Sequence, residues 1–510
     1  MTLGHPQKIF EPRLQKLLEV AGFRLPPVEP AKKTWQQSRR VESLVGVRFP
    51  DWLQCPFCHR LKRANDWGRD PGDPIRYCAI CTSKQAGGEK VGAVPVRFVV
   101  ACQDGHLDEF PWSWWLNHKP GCNKPELKIS NDGSSGGLAG VKLSCLTCGG
   151  LRSMEGCFNR DALQGIRCRG KRPWLPGPDE TCDKQPRTLQ RGASNLYFPV
   201  ILSALDIPPW SDPIQREFGE HWEPLCKEPR EERERFVRFL RLPEKMRKSV
   251  EEILEIIDKR ISLLERMSAQ TLRWEEYIQF TQPELRALDD NSEFEVRKEE
   301  VPPELRHWIG RVVRATRLRE VRAIRGFTRI KPPATGFDPE GGFSEINAEE
   351  KKWLPAIEVR GEGIFVELNA GTLAEWEKRP EIQRRATQIN AMFARDWKER
   401  YGEEVPVSRN VTPRLLLIHS FSHALIRQLA LECGYSTASL RERLYVSDGD
   451  LPMAAVLIYT ATPDSEGTLG GRRRPEADGN LNSDRESSKM VGAEPNHQRR
   501  NPLCEDTIRT

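Results

Sequence analysis

The 510-residue sequence has no G-x-x-x-x-G-K-[ST] segment, so it lacks the phosphate-cradling loop of a self-sufficient P-loop ATPase. It also shows no G-x-S-x-G elbow, no HKD-type motif and no paired-carboxylate signature of a hydrolase. No run of about 18 apolar residues occurs, which argues against a transmembrane helix. The opening stretch "MTLGHPQKIFEPRLQKLLEV" has no apolar signal-peptide core. Net charge is only +6, with 79 basic against 73 acidic residues, so bulk charge does not point to a nucleic-acid partner. These absences argue for a cytoplasmic, non-membrane protein whose function rests on something other than a familiar catalytic motif.

Cysteine is what the chain does have, and it is unevenly placed: 11 of 14 lie between Cys55 and Cys182. In a long chain from a reducing compartment, clustered cysteines read as metal ligands rather than disulfides. Cys55, Cys58, Cys78 and Cys81 form two Cys-x-x-Cys pairs separated by 19 residues, the spacing of a zinc ribbon. Cys145 and Cys148, followed after another 19 residues by Cys168 and then by Cys182, predict a second four-thiolate set. Cys102, His106, His118 and Cys122, spaced 3, 11 and 3 residues apart, suit a third zinc set, or a histidine pair hydrogen-bonded in a Trp-rich core. Cys157 is a spare that either later set could use. Sites with all four positions filled by protein favour structural zinc over catalysis.

Composition predicts a multidomain α+β chain: a zinc-ribbon-like Cys-rich region, a largely helical region and a mixed α/β C-terminal domain. The expected divisions are 1–50, a short helix and Pro-rich linker; 51–195, the Cys-rich zinc-binding region; 196–335, mainly helical; 336–471, the α/β domain; and 472–510, a polar tail expected to be disordered. Val250, Ile253, Leu254, Ile257, Ile261 and Leu264 recur at three- and four-residue steps and predict an amphipathic helix packed on its own domain. "WLPAIEVRGEGIFVEL" reads as two short strands around the turn "GEG", and 374–403 as a helix with Trp376, Ile389, Phe393 and Trp397 in the core. "RLLLIHSFSHALIRQLALECGY" reads as a buried helix ending at Gly434.

Two basic features are candidates for phosphate contact. If 311–329 is helical, Arg311, Arg314, Arg322, Arg325 and Arg329 lie near one face, apart from Val313, Val321 and Ile324. Arg60, Lys62, Arg63 and Arg69 are interleaved with Trp67 in the first knuckle, where an indole can stack on a base. A solvated face or ion pairs is the competing reading of both. His419 and His423 stand at i and i+4, but Ser420 occupies the place of a metalloprotease glutamate, so both read as core or interface histidines. The loop "DSEGTLGG" lacks the Lys-Ser/Thr ending of a phosphate-binding turn.

Taken in order, "VACQDGHLDEFPWSWW", "RGASNLYFP", "LREVRAIRGFTRI", "WLPAIEVRGEGIFVEL", "LIHSFSHALIRQLALECGY" and "DSEGTLGG" resemble the DrmB family, the cysteine-rich subunits of bacterial DISARM anti-phage defence. The resemblance spans roughly 40–471, and 320–471 also looks like the helicase-associated domain that ends zinc-containing superfamily 2 DNA helicases. It implies a non-catalytic, zinc-stabilised DNA-binding subunit that partners a helicase-like ATPase, DrmA. A scaffold without nucleic-acid contact and an independent metal-dependent nuclease are the competing readings. The resemblance matches Cys55, Cys58, Cys78 and Cys81, and then Cys145, Cys148, Cys168 and Cys182, to family cysteine sets. One departure is plain: where relatives continue with an apolar stretch and further cysteines, Arg472 here begins a polar tail with a single late cysteine, Cys504.

Overall fold

A nine-stranded sheet organises the larger part of the chain, with helices on both faces. The computed structural model describes residues 8–25 and 46–460, apart from 86, 132, 134–135, 212, 283–292, 334–342, 350–351, 404–406 and 408. The expected tail, the loop Asp464–Gly471 and most of the Pro-rich linker lie outside the described residues. Among the described residues no helix is long and apolar enough to cross a membrane.

At the centre of the sheet is a 20-residue strand, Ile309–Thr328. It pairs antiparallel with Trp353–Leu368 on one side and with Phe198–Leu205 and Glu295–Glu299 on the other. Met453–Thr460 and Leu440–Ser447 extend the sheet beyond Trp353–Leu368. Alternation along these strands builds two cores. Phe365, Tyr445 and Leu457 face the helices of Pro213–Thr281, whereas Val366, Leu444, Val446, Val456 and Ile458 face the helix Pro413–Cys433. The helix Val250–Glu265 has the predicted apolar face: Val250, Ile253, Leu254, Ile257 and Leu264 are buried, and Ser249 with Glu252 forms a capping box that starts it.

Several expectations give way here. Residues 311–328 are strand, not helix, and Arg329 lies just past the strand's end. A period of two puts Arg311 and Arg314 on opposite faces, so the basic stripe does not exist as a stripe. The β-branched run Val312, Val313 and Val321, buried between neighbouring strands, outweighs the three-residue recurrence of arginine. "WLPAIEVRGEGIFVEL" is one strand rather than two, and its glycines serve close approach, not a turn. A Cβ on Gly361 would stand 2.0 Å from the Thr460 carbonyl oxygen, and one on Gly363 2.6 Å from that of Ile458.

Only Ile418, Ser422 and Leu429 of Pro413–Cys433 are buried, because that helix is an outer layer on the sheet. The expected 374–403 helix is broken at Pro380 into Ala370–Glu377 and Pro380–Tyr401; Ile389, Phe393 and Trp397 stay half-exposed and Ala386 is the buried residue. Among the described residues the α-helices of 196–335 lie within Pro213–Thr281, and the large sheet takes strands from both sides of the expected boundary at 335.

The Cys-rich region folds on two smaller sheets. Six strands run in the order Leu151–Ser153, Val141–Cys145, Leu127–Asn131, Arg60–Arg63, Trp52–Gln54 and Val94–Pro95. Three more, Arg187–Gln190, Phe98–Ala101 and Leu107–Glu109, form the second. Arg329 bolts this region to the large sheet. It is 1% exposed, donates to the carbonyls of Gly105 (2.7 Å) and Leu196 (2.6 Å), and lies against the rings of Trp174 and Tyr197.

Candidate metal centres

Three groups of four ligand atoms converge within the Cys-rich region. The first is Cys55, Cys58, Cys78 and Cys81. The strands Trp52–Gln54 and Arg60–Arg63 form a tight hairpin whose turn presents Cys55 and Cys58, and the short helix Ala79–Thr82 presents the other pair. The sulfurs of Cys55 and Cys81, and of Cys58 and Cys78, lie 3.7 Å apart. That is far beyond a disulfide bond of about 2.05 Å. It matches the edge of a tetrahedron around zinc with bonds of about 2.3 Å, roughly 3.8 Å.

The later ligands regroup relative to the spacing-based sets. Cys102 and His106 join Cys168 and Cys182, while His118 and Cys122 join Cys145 and Cys148. One site is nested within the other along the chain. Strand register is the reason. Leu127 pairs with Cys145, which brings Cys122, five residues upstream of Leu127, to 3.8 Å from the Cys145 sulfur. Ala101 pairs with Arg187, which brings Cys102 to 4.0 Å from Cys182, itself five residues upstream of Arg187. The histidines complete the two sets: Cys102 Sγ is 3.3 Å from His106 Nδ1, and Cys148 Sγ is 3.5 Å from His118 Nδ1. Those spans suit a mixed nitrogen–sulfur edge of about 3.6 Å. The repeated 19-residue gap was misleading because it counts chain length, whereas ladder register decides which knuckles meet.

Cys157 joins none of these groups; it is fully buried among Met154 and Leu163, and burial pushes its thiol up to about 11. In the three Cys/His groups burial pushes Cys81 up to about 12 and Cys122 up to about 11, while backbone hydrogen bonds at Lys119 and Gly150 hold Cys148 down at about 7. Four thiols in one cluster cannot all ionise unaided, and a divalent cation is what makes them thiolates together. The donor sets are thiolate and imidazole without carboxylate, which suits zinc, and each leaves no fourth position open.

His106 has an outer partner. Its Nε2 lies 2.7 Å from Glu180, which also pairs with Arg172 at 2.6 Å. A carboxylate on the far nitrogen fixes the ring tautomer so that Nδ1 faces the metal. Glu180→Gln is expected to weaken zinc at this site by about 10–100-fold, with the other two sites unchanged, in chelator competition. An unchanged affinity would remove Glu180 from the site.

The basic candidates are engaged elsewhere. Trp67 is 6% exposed within the first zinc knuckle, so its face is closed to a base. Arg60 pairs with Glu126, Arg63 with Asp51, Arg314 with Glu299 and Arg322 with Glu320. Arg311 pairs with Glu367 and donates to the Thr281 carbonyl, and Arg325 lies over Phe343. A groove of about 530 Å³ beside the Cys102 site went unread in the sequence. It is lined by Trp52, Arg63, Trp114, Arg167 and Arg169, and Trp114 is exposed there.

Comparison with known proteins agrees with the zinc chemistry. Residues 2–198 match a domain of unknown function (DUF8724), which spans all three groups. Residues 421–475 match the MrfA Zn-binding domain, beyond any of them. The DISARM protein DrmB of Bacillus paralicheniformis is 30% identical over 506 residues, covering 92% of this chain and 82% of the relative. With that extent of identity along both chains, the chain belongs to the DISARM protein DrmB family.

Proposed function

We propose that the chain is a non-catalytic, zinc-stabilised subunit of an anti-phage defence complex that binds DNA beside a DrmA-like helicase, which supplies ATP hydrolysis. Family membership along 92% of the chain carries this reading. The missing phosphate-binding loop supports it, since the energy source then sits in a partner. The three Cys/His centres favour architecture over hydrolysis, because a metal nuclease needs open positions and clustered carboxylates.

The groove with the exposed Trp114 and Arg167 suits single-stranded DNA better than the arginines of the central strand, while Arg169 in it is held by Asp108 at 2.6 and 2.9 Å. An exposed indole can stack on any base, and the Arg167 guanidinium beside it can meet the backbone. Trp114→Ala with Arg167→Glu is expected to weaken single-strand binding and to lower its log–log salt slope by about one unit for the lost phosphate contact. Arg314→Glu, at an ion-paired position on the central strand, should change neither. Filter binding at two salt concentrations, with and without the helicase, reads both. Salt-independent or absent binding by wild-type chain, with the helicase complex still formed, would leave a scaffold in its place.

A further inference from the structure

The MrfA Zn-binding match, residues 421–475, contains none of the three Cys/His centres, but a further group of metal-ligating side chains straddles its start: His419 lies just before it, and His423 and Glu442 lie within it. His419 and His423, expected in the core or an interface, are neither deeply buried nor far apart. They share one face of Pro413–Cys433, one turn from each other, and His423 is exposed. Their Nε2 atoms are 3.1 Å apart, and Glu442 Oε1 is 3.5 Å from His419 Nε2. Glu442 arrives from the strand Leu440–Ser447, which packs against that helix. Ser422 donates to the other oxygen of Glu442, turning Oε1 toward the histidines.

We propose that His419, His423 and Glu442 form a fourth metal site, for zinc or a like divalent ion, with an open position that takes a small oxyanion. Two imidazoles and a carboxylate with bonds of about 2.0–2.1 Å span tetrahedral edges of roughly 3.4 Å, close to the distances here. Among the described residues these three are the whole group, and no fourth protein ligand joins them. His423 and Glu442 border a cavity of about 650 Å³ whose walls also carry the exposed Arg427 and Arg441, while Arg273, Arg322 and Arg443 at its base are paired with Glu276 and Glu320. A cation at the mouth and guanidinium groups within make that cavity suited to phosphate-like anions. The site differs from the other three in kind, since it is exposed, free of thiolate and open. It is therefore weaker and exchangeable, and loosely bound metal leaves it first.

The test uses the full chain. After dialysis against a weak chelator, zinc titration against a chromophoric competitor should give one more equivalent for wild type than for His419→Ala/His423→Ala. Both rings are on the surface, so the double variant should keep its circular dichroism. Glu442→Gln should lower the affinity of that equivalent without removing the tighter ones. Cobalt added in its place should bring d–d absorption with no new thiolate charge-transfer band, a signature that needs no variant. Inorganic phosphate should then shift that absorption. Equal zinc stoichiometry in wild type and double variant, or a thiolate band accompanying the extra cobalt, would overturn the site and leave a hydrogen-bonded histidine pair. Full metal binding with no response to phosphate would overturn the oxyanion.

Discussion

Stripping zinc with a strong chelator should unfold the first knuckle, about residues 51–95, and leave the large sheet standing. The purified chain should return at least three zinc ions, and their removal should free the ten cysteines of the three groups. The core around the first centre explains the size of the effect. It consists of Leu53, Ala64, Trp67, Val91 and three of the ligands themselves, Cys55, Cys78 and Cys81. So little apolar surface cannot hold a fold unaided. Structural zinc contributes about 10–16 kcal/mol of apparent binding free energy at neutral pH, which here is folding free energy. Cys78→Ser should therefore give insoluble chain, or chain nicked by protease within the first knuckle. Val250–Glu265 and the sheet have their own core and should remain protease-resistant. The sign with pH follows from the ligands: thiols must lose protons to bind, so apparent affinity falls as pH falls. Limited proteolysis with and without chelator reads the outcome. An unchanged pattern after full zinc loss would refute a structural role.

Sequence reasoning reached the local features and missed those decided by distant pairing. Cys55 to Cys81 is legible because hairpin and helix lie within one short segment, so spacing and geometry coincide. The nested second and third sets depend on the registers Leu127–Cys145 and Ala101–Arg187, which no spacing encodes. Val250 to Leu264 is legible because the helix has one dry face, and its period survives tertiary contact. The arginines of Ile309–Thr328 are ambiguous in principle, since three- and four-residue recurrence in a short window also occurs along a bulged strand. Glu442 was out of reach for a related reason. It joins His419 and His423 only when a strand is laid against their helix, and the search for a glutamate beside the first histidine looked along the wrong axis. The match to the DrmB family added what residues alone did not, a cellular setting, but it did not repair the ligand pairing.

Replacing Glu276 should cost about 3–5 kcal/mol, the largest effect expected from a single side chain outside the zinc centres. Glu276 lies fully buried on the helix Ala269–Thr281 and receives a two-pronged contact from Arg443, Nε at 2.7 Å and Nη2 at 2.6 Å. All five N–H donors of Arg443 are placed, the others on Glu320 Oε1 (3.1 Å) and on Ser203 Oγ (2.9 Å) and carbonyl (3.1 Å). Tyr445 and Tyr459 donate to the two carboxylates. The network thereby joins one helix to four strands, Phe198–Leu205, Ile309–Thr328, Leu440–Ser447 and Met453–Thr460. Burial alone would push the Glu276 carboxyl up, but Arg443 and then Arg273 overcome it and hold the group at about 2. A carboxyl held below its unfolded value of about 4.3 adds stability that is fully present above that pH. The contribution is lost as pH falls from there through about 2. Glu276→Gln keeps the shape but leaves Arg443 charged, buried and half-paired, so its denaturant midpoint should drop at neutral pH and converge on wild type in acid. Glu276→Met/Arg443→Met should recover part of the loss, because the two-pronged buried pair is removed together, although Glu320 then keeps only Arg322, at 3.9 Å, as an ion-pair partner. A Glu276→Gln loss below about 1 kcal/mol, or a double variant no better than the single, would show that the pairing does not hold the layers together.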